Sequence, residues 1–254
     1  MIYSGLAFDR ARTGISRSPF IRARKVEIQF VKQLRKIAAH VGDIARGFDL
    51  EDPMALAALQ GALERYSSIL DPWAEAVSAR MIAEADARDV KAWNRLSTVI
   101  GRQLHREIRD APTGNRMRQL LGEQVKLITS LPLEASERVH KLTLEGIQEG
   151  RRAAEIAKEL ARTGEVTESR AMLIARTEVG RTSTVLTQAR AEYIGSTHFI
   201  WRTAGDSDVR PSHRRLNGKS FRWDDPPECD PGYHALPGAI FNCRCYPEPI
   251  IPEQ

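Results

Sequence analysis

Arg190-Ala191-Glu192-Tyr193-Ile194-Gly195-Ser196-Thr197-His198-Phe199-Ile200-Trp201-Arg202 contains a change of period. Up to Tyr193 the apolar positions Met172, Ala175, Val179, Leu186 and Tyr193 recur at helical intervals, which predicts a helix over 168–194. Gly195 is placed to end it in the left-handed conformation. From His198 the residues turn aromatic and β-branched, which predicts a strand through Arg202. The chain is therefore expected to be helical before this point and mixed after it.

Proline placement supports that division. Pro19, Pro53, Pro72, Pro112 and Pro132 are spread over the first 200 residues, whereas Pro211, Pro226, Pro227, Pro231, Pro237, Pro247, Pro249 and Pro252 crowd the last 54. Long helices cannot persist through the second set. In the first set Asp52-Pro53 and Asp71-Pro72 read as helix starts, with Asp as the cap and Pro in the first turn. Helices are predicted near 20–47, 53–70, 72–87, 90–109, 113–129, 133–149, 151–162 and 168–194. The first carries one apolar stripe, Val26, Phe30, Leu34, Ile37, Val41 and Ile44, between charged faces.

Beyond Arg202, Asn217-Gly218 reads as a tight turn feeding a strand at Lys219–Trp223, and a third extended piece is expected over Cys245–Ile250. The fold class is α+β, an extended and mainly α-helical N-terminal region followed by a small α+β C-terminal module. Its expected divisions are a basic arm over 1–25, a helical region over 26–165 and the module over 166–254.

With 254 residues, 42% of them hydrophobic, the chain can build an ordinary core. Its charge is local. Arg10, Arg12, Arg17, Arg22, Arg24 and Lys25 stand against Asp9 alone in the first 25 residues, which accounts for the whole net charge of +5. Such an arm suits phosphate oxygens or an acidic protein groove, and equally a solvated tail. No apolar run reaches the roughly 18 residues that a membrane span needs, and the N-terminus has no apolar core of a leader, so no membrane partner and cytoplasmic synthesis are expected. Trp73 and Trp93 fall in helical patterns and read as core or interface anchors.

The module also carries an ordered set of motifs: Ala175-Arg176-Thr177-Glu178-Val179-Gly180-Arg181, Trp201 to Asp206, Val209-Arg210-Pro211-Ser212-His213, Leu216 to Phe221, Pro237-Gly238, and Asn242-Cys243-Arg244-Cys245. In this order and spacing they resemble the phage Mu F-like minor head proteins, the phage head morphogenesis family. Cys229 and the stretch Pro226–Tyr233 lie outside that pattern. The resemblance implies a non-catalytic virion protein at the portal vertex, made in the bacterial host cytoplasm. It would contact the portal protein and major capsid protein, with packaged DNA as a further partner of the basic arm, and would assist head morphogenesis, packaging or DNA delivery.

Three chemistries compete for the polar residues of the module. Cys243, Cys245, His234 and Cys229 form a ligand set suited to tetrahedral zinc, with His213 as the substitute if Cys229 is uninvolved. A Cys-x-Cys in a strand points to opposite faces, so a turn at Arg244 is required, and otherwise the thiols are packed apolar groups. A metal-dependent nuclease would draw on His213, His234 and Asn242 with Asp206 and Asp208. The most economical reading is a structural network of Asp206, Asp208, Arg210 and His213 joined by Arg176, Glu178 and Arg181 from the preceding helix. No cofactor is required by that reading, and a zinc-stabilised DNA-binding module is the remaining alternative.

Overall fold

The computed structural model describes residues 20–21, 23–100 and 111–251, with 96–100 as backbone. Arg10, Arg12, Arg17 and Arg22 of the basic arm lie outside the described residues, as does the end of the helix expected over 90–109. Of the arm, Arg24 and Lys25 are described, both exposed.

The helices are α1 (Arg24–Arg46), α2 (Pro53–Ser68), α3 (Asp71–Ile100), α4 (Thr113–Gln148), α5 (Ala153–Ala161) and α6 (Thr163–Tyr193). On α1 the predicted stripe is buried at Val26, Phe30, Leu34, Ile37 and Val41. Asp52 caps α2, its Oδ1 accepting from the Met54 N–H at 2.9 Å with Pro53 in the first turn. Two expected breaks are absent. The charged run around Arg88-Asp89 contains neither Gly nor Pro, and α3 runs through it.

Pro132 lies inside α4. Its ring removes a helical donor and crowds the preceding turn. In that turn the Thr129 carbonyl accepts a hydrogen bond from Ser67 Oγ of α2 at 2.7 Å, a partner from outside the helix. Helices 113–129 and 133–149, expected as two, are one.

At the end of α6, Gly195 has φ +81°. The Ser196 N–H reaches the Ala191 carbonyl at 2.8 Å and the Gly195 N–H the Glu192 carbonyl at 3.0 Å. These two bonds are the closure expected of a left-handed glycine cap. The strand follows as predicted: β1 (His198–Arg202) is central in an antiparallel sheet between β2 (Ser220–Arg222) and β5 (Tyr246–Pro249), with Phe199 opposite Phe221 and Trp201 opposite Pro247. A short helix α7 (Pro211–Leu216) opens on Pro211, and a hairpin of β3 (Glu228–Asp230) and β4 (Tyr233–His234) turns at Pro231-Gly232. Neither element was expected. Both are too short to show a period, and each has only a proline or a Pro-Gly pair as its signal. The fold is α+β.

The chain forms two compact units that do not follow one another along the sequence. Among the described residues, one gathers those within Met1–Val26, Met81–Leu120 and Arg176–Gln254, and the other those within Glu27–Arg80 and Leu121–Ala175. The second is a helical assembly with Leu34, Ile37, Leu59, Leu63, Ile128 and Leu131 fully buried. Within it α1 and α6 touch backbone to backbone, since a Cβ on Gly164 would stand 3.0 Å from the Gly42 Cα. In the first unit one apolar cluster joins Phe20 and Trp93 to Phe199, Trp201, Trp223, Cys229, Cys243 and Cys245. The Phe20 ring meets Trp93 edge-on at 5.0 Å. No helix among the described residues is long and apolar enough to cross a membrane.

Beside that cluster Arg190 of α6 is 3% exposed and donates to Asp89 and Asp86 of α3, each at 2.5 Å. Asp89 also accepts from Thr187 Oγ1 at 2.5 Å. Burial pushes the Asp89 carboxyl above the usual carboxylate range, with Arg190 and Thr187 pulling against it. A buried charge left alone is costly, so Arg190→Ala is expected to destabilise the protein by about 3 to 5 kcal/mol. Urea unfolding of the variant measures this, and a loss within the error of the parent value would refute the role given to the pair.

Candidate functional site

One face of α6 holds the loop that carries the cysteines. A Cβ on Gly180 would lie 2.9 Å from the Gly238 carbonyl oxygen, and one on Gly238, whose φ is +87°, would lie 2.9 Å from Thr184 Oγ1. Helix and loop thus meet where only hydrogen fits. The contact is secured on both sides: Thr184 Oγ1 donates to the Pro237 carbonyl at 2.6 Å, Thr177 Oγ1 accepts from the Asn242 N–H at 3.1 Å, and Arg176 donates to Asn242 Oδ1 at 2.5 Å. Asn242 itself sits at φ +57°, a turn conformation that Asn tolerates.

The turn at Asn242 brings Cys243 and Cys245 onto one side before β5 begins, which a strand would not do. Both sulfurs stand 3.5 Å from His213 Nδ1. His213 comes from α7, is 2% exposed, and packs edge-on against Trp201 with ring centres 5.4 Å apart. Its Nε2 lies 3.6 Å from Asp230 Oδ1. Asp230 is held in turn by Ser212 Oγ at 2.9 Å and by Arg210 at 3.0 Å, and Arg210 also donates to the Phe241 carbonyl at 2.9 Å.

Cys243 is the more acidic thiol. The Cys245 side chain donates to it, against the effect of burial and with help from His213 and the Cys245 N–H, and pulls it down to about 4. The Gly238 and Cys245 N–H groups point at its sulfur at 3.4 and 3.5 Å. Cys245 is pushed well up because Cys243 and burial hold its proton, with the Trp201 indole opposing weakly. The cysteines are free thiols. A cavity of about 120 Å³ adjoins them, lined also by Arg176, Asp208, Arg210 and Arg244.

The residues picked out from sequence are distributed differently from the expectation. Asp206 and Asp208 pair with Arg244 rather than Arg210, at 3.0 Å for Asp206. Arg244 holds the Asp208 carboxyl below its usual range. Arg210 pairs with Asp230, because the β3–β4 hairpin brings that carboxylate to the start of α7. Of the three α6 residues expected in the network, Arg176 reaches the loop, while Glu178 and Arg181 face each other along the helix at 3.8 Å.

His234 is exposed, with Nδ1 3.0 Å from the Pro226 carbonyl. Cys229 is buried at 3.4 Å from the Tyr233 carbonyl, and burial pushes its thiol up. Neither joins the thiol cluster among the described residues; His213 takes the third place. Sequence reasoning missed Arg244, Ser212 and Asp230 as its supports, although Arg244 stands between the two cysteines and Ser212 beside the histidine. Asp206 and Asp208, the pair expected to hold a nuclease's ion, are both engaged by Arg244.

A long helix clamped through a glycine onto a loop of two cysteines, beside a three-stranded sheet, defines a small α+β module. Residues 137–247 match the family described as Phage Mu protein F like protein. The chain is similar to an uncharacterized protein of Haemophilus influenzae, 29% identical over 82% of the chain and 46% of the relative. It is similar also to an uncharacterized protein of Methanocaldococcus jannaschii, 36% identical over 42% of the chain and 16% of the relative. A third relative is NAD(+)--arginine ADP-ribosyltransferase EFV of Enterococcus faecalis, 30% identical over 44% of the chain and 25% of the relative. The chain thus spans less than half the length of each. No solved structure matches it.

Two substitutions test the construction of the site. Gly180→Ala would gain up to about 1 kcal/mol from helix propensity alone, but its methyl meets a backbone oxygen, so a net loss of about 1 to 3 kcal/mol is expected. Stabilisation of that variant in thermal unfolding would disprove the close approach. Arg244→Ala should cost about 1 to 2 kcal/mol by leaving Asp206 without its cation, whereas Asp208→Ala, at an exposed carboxylate, should leave the melting temperature unchanged. The reverse order of effects would show that the loop is held otherwise.

Proposed function

We propose that the protein is a phage minor head protein that works by binding, at the portal vertex, and assists head morphogenesis, packaging or DNA delivery without catalysing a reaction. The observation that carries this reading is the match of residues 137–247 to the Phage Mu F-like family, a span that takes in the end of α4, all of α5 and α6, and the cysteine module up to the start of β5. The polar residues of the module support a binding role. Arg210, Arg244, Asp206, Asp208 and Asp230 spend their charge on one another.

The partners in this reading are the portal protein and the major capsid protein. Exposed apolar residues on the helices, including Leu133, Leu144 and Ile147 of α4, supply contact area of the kind such partners use. The basic residues around Arg24 and Lys25 suit phosphate, so packaged DNA is a further partner. The limited share of each relative that the chain spans fits a family module carried on longer proteins.

Purified heads from cells producing the phage structural proteins with this chain test the proposal by quantitative mass spectrometry. The full-length protein is expected in the particles in fewer copies than the major capsid protein, and a form lacking 20–195 is expected to be absent. Particles that assemble and package DNA normally, with no full-length protein in them, would overturn it.

A further inference from the structure

We propose that His213, Cys243 and Cys245 are the protein ligands of a single zinc-class metal ion. This goes beyond the role in head assembly and does not depend on it. The three are the one group of potential ligands that converges among the described residues, all buried, with their ligand atoms within 4.8 Å of one another. The spacing fits metal closely. Bond lengths of about 2.3 Å to sulfur and about 2.0 to 2.1 Å to nitrogen at a tetrahedral angle put the donor atoms roughly 3.5 Å apart. Each sulfur stands 3.5 Å from His213 Nδ1.

The surroundings are those of a ligating imidazole and a ligating thiolate. With Nδ1 turned to the sulfurs, Nε2 is directed to Asp230 Oδ1 at 3.6 Å, and it has no hydrogen-bond partner of its own. A carboxylate behind the outer ring nitrogen fixes the tautomer and ring angle of a metal-bound histidine. Ser212 and Arg210 hold that carboxylate in place. The Gly238 and Cys245 N–H groups aimed at Cys243 Sγ stabilise a thiolate. Two soft sulfurs and one imidazole select zinc over magnesium or calcium.

On binding, both cysteines coordinate as thiolates, any remaining thiol proton passing to solvent, so two thiolates balance a divalent charge without any redox step. Three protein ligands leave a fourth position, and the adjoining cavity of about 120 Å³ has room for a water there. The ion would tie α7 to the loop before β5, thirty residues later in sequence.

The full chain, purified reduced and without chelator, is expected to contain one equivalent of zinc. After metal removal it should take up one equivalent of cobalt(II), giving a sulfur-to-cobalt charge-transfer band and the strong visible bands of a tetrahedral site. Cys229→Ser and His234→Ala should keep both, and Cys243→Ser and Cys245→Ser should lose them. Asp230→Asn should weaken cobalt binding by about 10- to 100-fold with the bands unchanged in position. A folded, reduced parent chain that develops no charge-transfer band overturns the proposal whatever the variants do. So does full metal content in the Cys243→Ser, Cys245→Ser double variant, or its loss in Cys229→Ser.

Discussion

The module depends on the backbone approach of Gly180 in α6 to Gly238 in the loop before the cysteines. A side chain on either would force helix and loop apart, and the hydrogen bonds of Thr177, Thr184 and Arg176 act only at that separation. From the clamped loop follows the turn at Asn242, and from the turn the common direction of Cys243 and Cys245. The sheet adds the opposite wall. Trp201, in its central strand, is fully buried and presents its ring to His213. Helix, loop and strand thus each contribute one constraint to the same few atoms.

The same helix serves the core by a different kind of force. Arg190, almost wholly buried, joins two carboxylates of α3, while the apolar cluster around Trp93 surrounds the strand that follows α6. Desolvation makes such an arrangement expensive unless every partner is in place. It therefore favours one register of α3 against α6 over neighbouring ones, which apolar contacts alone discriminate less sharply.

Much of this architecture was legible in the sequence, for identifiable reasons. Gly195 and the aromatic run after it announce the end of helix and the start of strand, and the crowding of prolines beyond 210 excludes further long helices. Pro132 misled, because whether a helix tolerates proline depends on its tertiary surroundings, and here the Thr129 carbonyl in the preceding turn takes a hydrogen bond from Ser67, more than sixty residues away. The Cys-x-Cys pair was visible, but which histidine faces it was not. His234 is nearer in sequence and His213 nearer in space, and the decision lies with α7, a six-residue helix too short to leave a periodic trace. Arg210 was matched to the carboxylates beside it in sequence, whereas the β3–β4 hairpin delivers Asp230 from twenty residues away.

The order of strands in the sheet has a bearing on how the molecule is made. Strand β1 lies between β2 and β5, and β5 is separated from β1 by more than forty residues of loop, short helix and hairpin. On a ribosome, the unit built from Glu27–Arg80 and Leu121–Ala175 has all its residues long before Tyr246 is synthesised. The other unit does not, since its central strand keeps one open edge until β5 emerges. Until then Phe199, Trp201 and their unpaired backbone groups form an adhesive surface on a nascent chain, the kind of exposed edge that chaperones cover and that aggregation exploits.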